Sequence, residues 1–158
     1  MEATSAKDYA AGKTLIEEYA AALGVDLCFQ NFSEEIANLP KIYGSARGCL
    51  LLARINRELV GCVAIRSQSA DICEMKRLYV KPQYRGAGLG RRLAETAIHS
   101  AQKLGYSRMV LDTLPSMTEA QSLYESLGFR ENEGYYPNPV HGVRYLARDF
   151  TGREKHTA

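Results

Sequence analysis

Residues 74–104 read EMKRLYVKPQYRGAGLGRRLAETAIHSAQKL. Met75, Leu78, Tyr79 and Val80 suit a strand, and Pro82 stops it because proline has no N–H to donate to a ladder. From about Leu89 the period changes. Leu89, Leu93, Ala97, Ala101 and Leu104 recur at helical spacing on one face, with Arg92, Glu95, His99 and Lys103 on the other. Gly105 follows as a helix stop. The stretch is therefore a strand, a tight joint and a helix.

The joint is Arg85-Gly86-Ala87-Gly88-Leu89-Gly90. A backbone this bare approaches a ligand closely and takes positive φ without steric cost. The first N–H groups of the helix lack intrahelical partners and lie at its positive end, which suits a phosphate or pyrophosphate. Arg85, Arg91 and Arg92 add full positive charge. An ordinary glycine turn before a helix is the plain alternative, but glycines at a helix start lower helix propensity and need a compensating reason. A Walker loop requires Lys-Ser/Thr after its last glycine, where this chain has Arg91-Arg92. A dinucleotide loop requires Gly-x-Gly-x-x-Gly, whereas the spacing here is Gly86-x-Gly88-x-Gly90. The pattern that fits is Arg/Gln-x-x-Gly-x-Gly/Ala, as Arg85-x-x-Gly88-x-Gly90.

That pattern resembles the coenzyme A pyrophosphate loop of the GCN5-related N-acetyltransferase superfamily. Downstream, Ala120-Gln-Ser-Leu123-Tyr124-Glu-Ser-Leu127-Gly128-Phe129 resembles the A-x-x-L-Y-x-x-x-G-F segment of the same superfamily. The resemblance covers roughly Cys49 to Phe150. It implies an α/β fold with a mixed central sheet, two parallel strands ending near Val80 and Asp112 that splay apart, and acyl-CoA in the gap. It also implies that pantetheine runs along the backbone of Leu78, Tyr79 and Val80. Arg85, Gly86, Ala87, Gly88, Leu89, Gly90 and Arg91 would hold the pyrophosphate.

Composition narrows the remaining classes. A chain of 158 residues is the size of one ordinary domain, and 46% hydrophobic content supports a real core. The net charge of +2 does not favour nucleic acid, which needs a clustered basic face. Cys28, Cys49, Cys62 and Cys73 form no C-x-x-C pair, so no metal is expected, and buried thiols in a reducing cytoplasm are. MEATSAKDYAAGK lacks a signal-peptide core, and no apolar run approaches a membrane span. The expectation is a single cytoplasmic domain over 1–158, monomer or homodimer, away from membranes, with Thr151–Ala158 as a flexible polar tail.

Along the chain, Asp8–Leu23 reads as a helix and Val25–Gln30 as a short link or strand. Asn31-Phe-Ser-Glu34 has capping-box spacing for a second helix, which Pro40 should end, leaving Lys41–Gly48 as a loop. Cys49–Ile55 and Leu59–Arg66 form a hairpin around Asn56-Arg-Glu58, and the strand into Val80 follows the polar turn 67–70. Arg108–Asp112 is a strand. Ser116-Met-Thr-Glu119 is a second capping box opening a helix from about Thr118 to Leu127, with Leu123 and Leu127 facing the core. Phe129–Glu131 and Val143–Arg148 are the last strands. The predicted order is ααβββαβαββ.

Acetyl transfer to an amine requires a neutral amine, a stabilised carbonyl oxygen and a protonated leaving thiolate. By resemblance, Glu74 is the candidate base; read from its surroundings alone it is a solvated strand residue or a partner for Lys76 or Arg77. Tyr124 matches the family tyrosine and is the candidate acid, since a phenol of pKa about 10 arrives protonated. A core tyrosine is the structural alternative. The oxyanion donor is the backbone N–H of Tyr79 or Val80, again by resemblance. The chain departs from the superfamily it resembles at Met117, where many members of that superfamily carry asparagine, which leaves Ser116 or Thr118 as weaker replacements. Tyr43, Arg47, Tyr135, Tyr136, Asn138 and His141 are candidates for the acceptor pocket. His99 reads as solvated, and Cys73 lacks a placed histidine to make it a nucleophile.

The expected activity is direct transfer of an acetyl group from acetyl-CoA to the primary amine of a small molecule: an amino acid, a polyamine or an antibiotic-like amine. The alternatives are acetylation of a protein N-terminus or lysine, and acyl-CoA sensing without turnover. Transfer to aminoacyl-tRNA is disfavoured by the balanced charge.

Overall fold

A computed structural model describes residues 1–24, 27 and 31–150. The predicted link over Val25–Gln30, apart from buried Leu27, and the predicted tail over Thr151–Ala158 lie outside these residues, as does Cys28. The elements are α1 (Ala6–Leu23), α2 (Phe32–Ala37), α3 (Leu39–Tyr43), β1 (Cys49–Ile55), β2 (Glu58–Ser67), β3 (Ile72–Val80), α4 (Leu89–Lys103), β4 (Arg108–Thr113), α5 (Thr118–Ser126), β5 (Arg130–Glu131) and β6 (Arg144–Asp149). Strands hydrogen-bond in the order β1-β2-β3-β4-β6-β5, a mixed sheet of an α/β protein.

The chain clusters into two compact units. The first comprises Met1–Arg66 and Met75–Ala97; the second comprises Ser67–Glu74 and the chain from Ile98 onward. Strand β3 contributes its first three residues to the second unit and the rest to the first.

In the first unit, α1 begins at a true capping box. The Ser5 hydroxyl accepts from the Asp8 N–H and the Asp8 carboxylate accepts from the Ser5 N–H. Tyr9, Leu15 and Ile16 then pack with Leu50 and Leu52 of β1, Cys62 and Ala64 of β2, Leu39, Tyr43 and Tyr79. Gly12 permits this close approach, since a Cβ there would lie 2.6 Å from the Leu50 Cδ2. Strands β1 and β2 pair antiparallel through Ile55↔Glu58, and Asn56 and Arg57 turn the hairpin at φ 48° and 72°.

Three expectations fail here. Pro40 does not end a helix. It occupies the first turn of α3, where its missing N–H needs no intrahelical partner, so Lys41–Tyr43 is helical rather than loop. Neither Asn31 nor Ser116 caps a helix through its side chain: Asn31 is left-handed at φ 57°, and Met117 takes the N-cap position of α5 without a side-chain bond. The described residues thus form three helices before β1, one more than predicted.

In the second unit, β3 and β4 run parallel, paired at Ile72↔Arg108, Cys73↔Met109 and Glu74↔Val110. That ladder stops at Glu74, although both strands continue. Beyond it β4 keeps its antiparallel partner β6 as far as Thr113↔Arg144. The predicted helix Thr118–Leu127 matches α5, closed by Gly128 at φ 93°. Its most buried side chain is Tyr124; Leu123 and Leu127 are only half-buried.

Candidate active site

The glycine joint is built as its sequence implies. After Val80, a short 3-10 turn over Pro82–Tyr84 leads to Arg85, whose Nε donates to the Val80 carbonyl at 2.8 Å while its guanidinium lies 5.7 Å from the centre of the Tyr79 ring. Gly86 and Gly88 sit at φ 89° and 82°, left-handed conformations that side chains resist. A Cβ on either would meet no protein atom within 4 Å, so the space over the loop is open. The Gly88 carbonyl accepts the Arg92 N–H at 3.1 Å, which is the first turn of α4. The N–H groups at the start of α4 have no partner within the helix and suit an anion. Arg91 pairs loosely with Glu95 at 3.5 Å on the surface. Leu78 is half-buried, and Tyr79 and Val80 are buried. The Tyr79 hydroxyl donates to Glu18 at 3.3 Å; burial, then the Glu18 charge, raises its pKa above the usual phenol value.

In the second unit two acidic side chains meet the tyrosine loop. Glu74, only 6% exposed, accepts from the Tyr135 hydroxyl at 2.5 Å. It is neither a solvated strand residue nor a partner for Arg77, which pairs elsewhere. Burial drives the Tyr135 phenol far above its ordinary pKa, and the charges of Glu74 and Asp112 push the same way. Tyr135 is therefore a donor at any physiological pH. Asp112 accepts from the Tyr136 hydroxyl and, at 2.8 Å, from the Asn138 amide. The Asn138 side-chain oxygen in turn accepts the Val140 N–H at 2.9 Å. The Tyr145 hydroxyl donates to the Tyr136 carbonyl at 2.8 Å. Rings of Tyr135, Tyr136 and Tyr145 pack with centroids 5.1 to 6.0 Å apart. The segment from Gly134 to Val140 is thereby tied to Glu74 of β3 and Asp112 of β4.

Register explains the convergence. Glu74 is opposite Val110, Asp112 lies two residues beyond Val110 on the same face, and Asp112 is opposite Tyr145. The strand period of two places both carboxylates and Tyr145 on one face. Asp112 and Tyr145 were absent from the sequence-based candidates. Asp112 read as a strand terminus, and only the alternation of β4 against β3 and β6 aims it beside Glu74.

Other candidates are placed as follows. Tyr124 is 6% exposed and packs edge-on to Phe129, with centroids 5.8 Å apart. Tyr43 is fully buried; its hydroxyl donates to Glu35 at 2.8 Å, and burial, then the Glu35 charge, raises its pKa well above the usual value. It lies in the core, not at a surface. Arg47 and His141 are exposed, as are Ser116, Thr118 and His99. Cys49, Cys62 and Cys73 are buried free thiols, with burial pushing the first two to a pKa of about 12. Among the described residues no group of three or more His, Cys, Asp and Glu could hold a metal, and no helix is long and apolar enough to cross a membrane.

Comparison with known proteins bears on the fold and the loop together. The profile of the Acetyltransferase (GNAT) family matches residues 13–129. An uncharacterized N-acetyltransferase of Schizosaccharomyces pombe is 46% identical over 141 residues, which span 88% of this chain and 86% of that protein. A GNAT-family acetyltransferase structure from Staphylococcus aureus Mu50 superposes with a TM-score of 0.78, covering 94% of this chain and 96% of that one; at 19% identity it speaks for the fold alone. A GNAT-family acetyltransferase from Elizabethkingia anophelis, solved with acetyl-CoA bound, has a TM-score of 0.57 and 26% identity, covering 65% of this chain and 76% of that one. The strand–glycine loop–helix joint, the mixed sheet and the match over most of the chain agree: this chain belongs to the Acetyltransferase (GNAT) family and is an N-acetyltransferase of that family.

Proposed function

We propose that the protein transfers an acetyl group from acetyl-CoA directly to the primary amine of a small molecule such as an amino acid, a polyamine or an antibiotic-like amine. The observation that carries this reading is the enclosed Glu74 carboxylate held by Tyr135. A base that is 6% exposed beneath an aromatic loop suits a small, penetrating amine better than one carried on a folded protein surface.

The glycine loop fits the cosubstrate. It offers open space above Gly86 and Gly88, the N-terminal end of α4 aimed at pyrophosphate oxygens, and Arg85 and Arg91 beside it. Acetyl-CoA, when bound, supplies the acyl group as a thioester. The chain supplies the rest. Glu74 accepts the proton that the ammonium form of the acceptor must lose. The backbone N–H of Tyr79 or Val80 donates to the carbonyl oxygen as charge develops on it. The Tyr124 phenol donates a proton to the departing thiolate. Buried free thiols at Cys49, Cys62 and Cys73 support a reducing, cytoplasmic setting.

The test is thiol release from acetyl-CoA in the presence of a panel of small amines, beside peptides bearing a free N-terminus or a lysine. Faster release with small amines is the expected result. Release with peptides alone would replace this reading with protein acetylation. Calorimetric binding of acetyl-CoA with no release from any amine would replace it with a sensor.

A further inference from the structure

A buried ion pair in the first unit takes no part in the chemistry above. Arg77 of β3 forms a two-pronged bridge to Glu35 of α2: Nε donates to Oε2 at 3.0 Å and Nη2 donates to Oε1 at 2.6 Å. Both side chains are almost wholly buried, at 3% and 2% exposure. The Tyr43 hydroxyl donates to the same carboxylate at 2.8 Å. The guanidinium lies 5.3 Å from the Phe32 ring centre. Burial alone would push the Glu35 pKa up, but the Arg77 hydrogen bonds and charge outweigh it and leave the pKa lowered.

Such a pair is a poor device for stability, because removing two charges from water offsets most of their attraction. Its geometry suggests another use. Arg77 is left-handed, at φ 60°, in the interior of a strand. A residue with a long side chain holds that conformation only where its surroundings impose it. Here they do. The guanidinium is gripped at both prongs by Glu35, and the Arg77 carbonyl accepts from the Cys62 thiol at 3.3 Å, an irregular partner for a strand carbonyl. The residues that follow at once are Leu78, Tyr79 and Val80.

We infer that the Glu35–Arg77 pair is a positioning clamp for the cosubstrate: it imposes the left-handed kink at Arg77 and so sets the backbone of Leu78–Val80 for the pantetheine arm. This rests on the acetyl-CoA reading given above. Neither side chain touches the cosubstrate. The pair shapes the strand, and the strand binds.

The experiment compares CoA affinity by calorimetry and steady-state constants in four proteins: wild type, Arg77→Lys, Glu35→Leu with Arg77→Met, and Glu35→Leu with Arg77→Gly. Arg77→Lys keeps the charge but loses the fork, and should weaken CoA several-fold. The Leu/Met pair removes both charges at similar volume, a change that buried pairs tolerate. It should stay folded yet bind CoA at least tenfold more weakly, with KM for acetyl-CoA rising more than kcat falls. The Leu/Gly pair lets residue 77 adopt positive φ unaided and should recover part of that loss. Wild-type affinity in the folded Leu/Met protein overturns the inference. If that protein does not fold, wild-type affinity in Arg77→Lys overturns it. No CoA binding by the wild type would remove the cosubstrate reading itself, and this inference with it.

Discussion

The Tyr135 hydroxyl donates to the Glu74 carboxylate across 2.5 Å, joining a loop after β5 to the last residue of β3 that pairs with β4. At that length it is at the short end of O–H···O hydrogen bonds in proteins. It orients the carboxylate without removing its capacity to accept a second proton donor, since each carboxylate has two oxygens.

Replacing Tyr135 by Phe retains the ring against Tyr136 and Tyr145 and deletes only this bond. Stability should fall by about 1–3 kcal/mol, read as a lower urea midpoint at unchanged slope. If Glu74 is the base, turnover should fall roughly tenfold because its carboxylate is no longer held, a loss of about 1.4 kcal/mol. An unchanged kcat would show that Glu74 needs no orientation from the loop.

Glu74→Gln keeps the shape and an acceptor for Tyr135 but cannot take a proton. Thiol release with a saturating amine should drop by about 10² to 10⁴. CoA affinity should stay within about twofold, since the loop that would hold it is untouched. A variant with full turnover would remove Glu74 from the mechanism.

Tyr124→Phe leaves the edge-on contact with Phe129 in place. If the phenol protonates the leaving thiolate, kcat falls by roughly 10² while acetyl-CoA affinity is nearly intact. The measurement is single-turnover thiol release beside a calorimetric titration. An unaltered rate would make Tyr124 a core residue only.

Gly88→Val puts a β-branched residue at φ 82°, a conformation costing about 1–2 kcal/mol for an L side chain. No protein atom lies within 4 Å of the new Cβ, so the fold should survive with a small drop in Tm. The added methyls would stand where the phosphates belong. CoA affinity should fall by about tenfold or more, and intact affinity would disprove the loop assignment.

Stability should be flat between about pH 5 and pH 8 and fall on both sides; the alkaline fall begins as the unfolded chain releases the thiol protons that buried Cys49 and Cys62 keep, and steepens where the phenols follow. The folded pKa values of Tyr43 and Tyr135 are raised, so the folded chain keeps phenol protons that the unfolded chain releases. That contribution is complete below the unfolded phenol value of about 10 and is lost as pH rises beyond it. The lowered pKa of Glu35 acts oppositely: its contribution is present above the unfolded carboxyl value of about 4.3 and is lost as pH falls. Tyrosinate absorbance followed beside circular dichroism checks the alkaline limb. Part of the tyrosinate signal should appear only as the fold is lost.

Local sequence carried much of the site. The glycine joint, α4 and α5 were legible because helical period and glycine positions act over a few residues. The hairpin was legible from its two apolar runs, although the structure pairs Glu58 with Ile55 and so shortens the predicted Asn56-Arg-Glu58 turn to Asn56 and Arg57. The capping boxes at Asn31 and Ser116 were not: matching spacing gives a side chain the opportunity to cap, and backbone conformation decides whether it does. Pro40 misled similarly, because a proline that terminates one helix is equally suited to open the next.

By itself, then, the sequence determined the strand–loop–helix unit over 74–104, the bare glycine joint Arg85–Gly90 and the two motifs that point to the GNAT family. Only tertiary structure decided what faces what. Strand register set Asp112 beside Glu74 and brought Tyr135 onto it, 61 residues away in sequence. Burial turned Arg77 from a candidate partner of Glu74 into the partner of Glu35, 42 residues away. Such long-range pairings follow from the burial of whole elements, and no local pattern of residues encodes them.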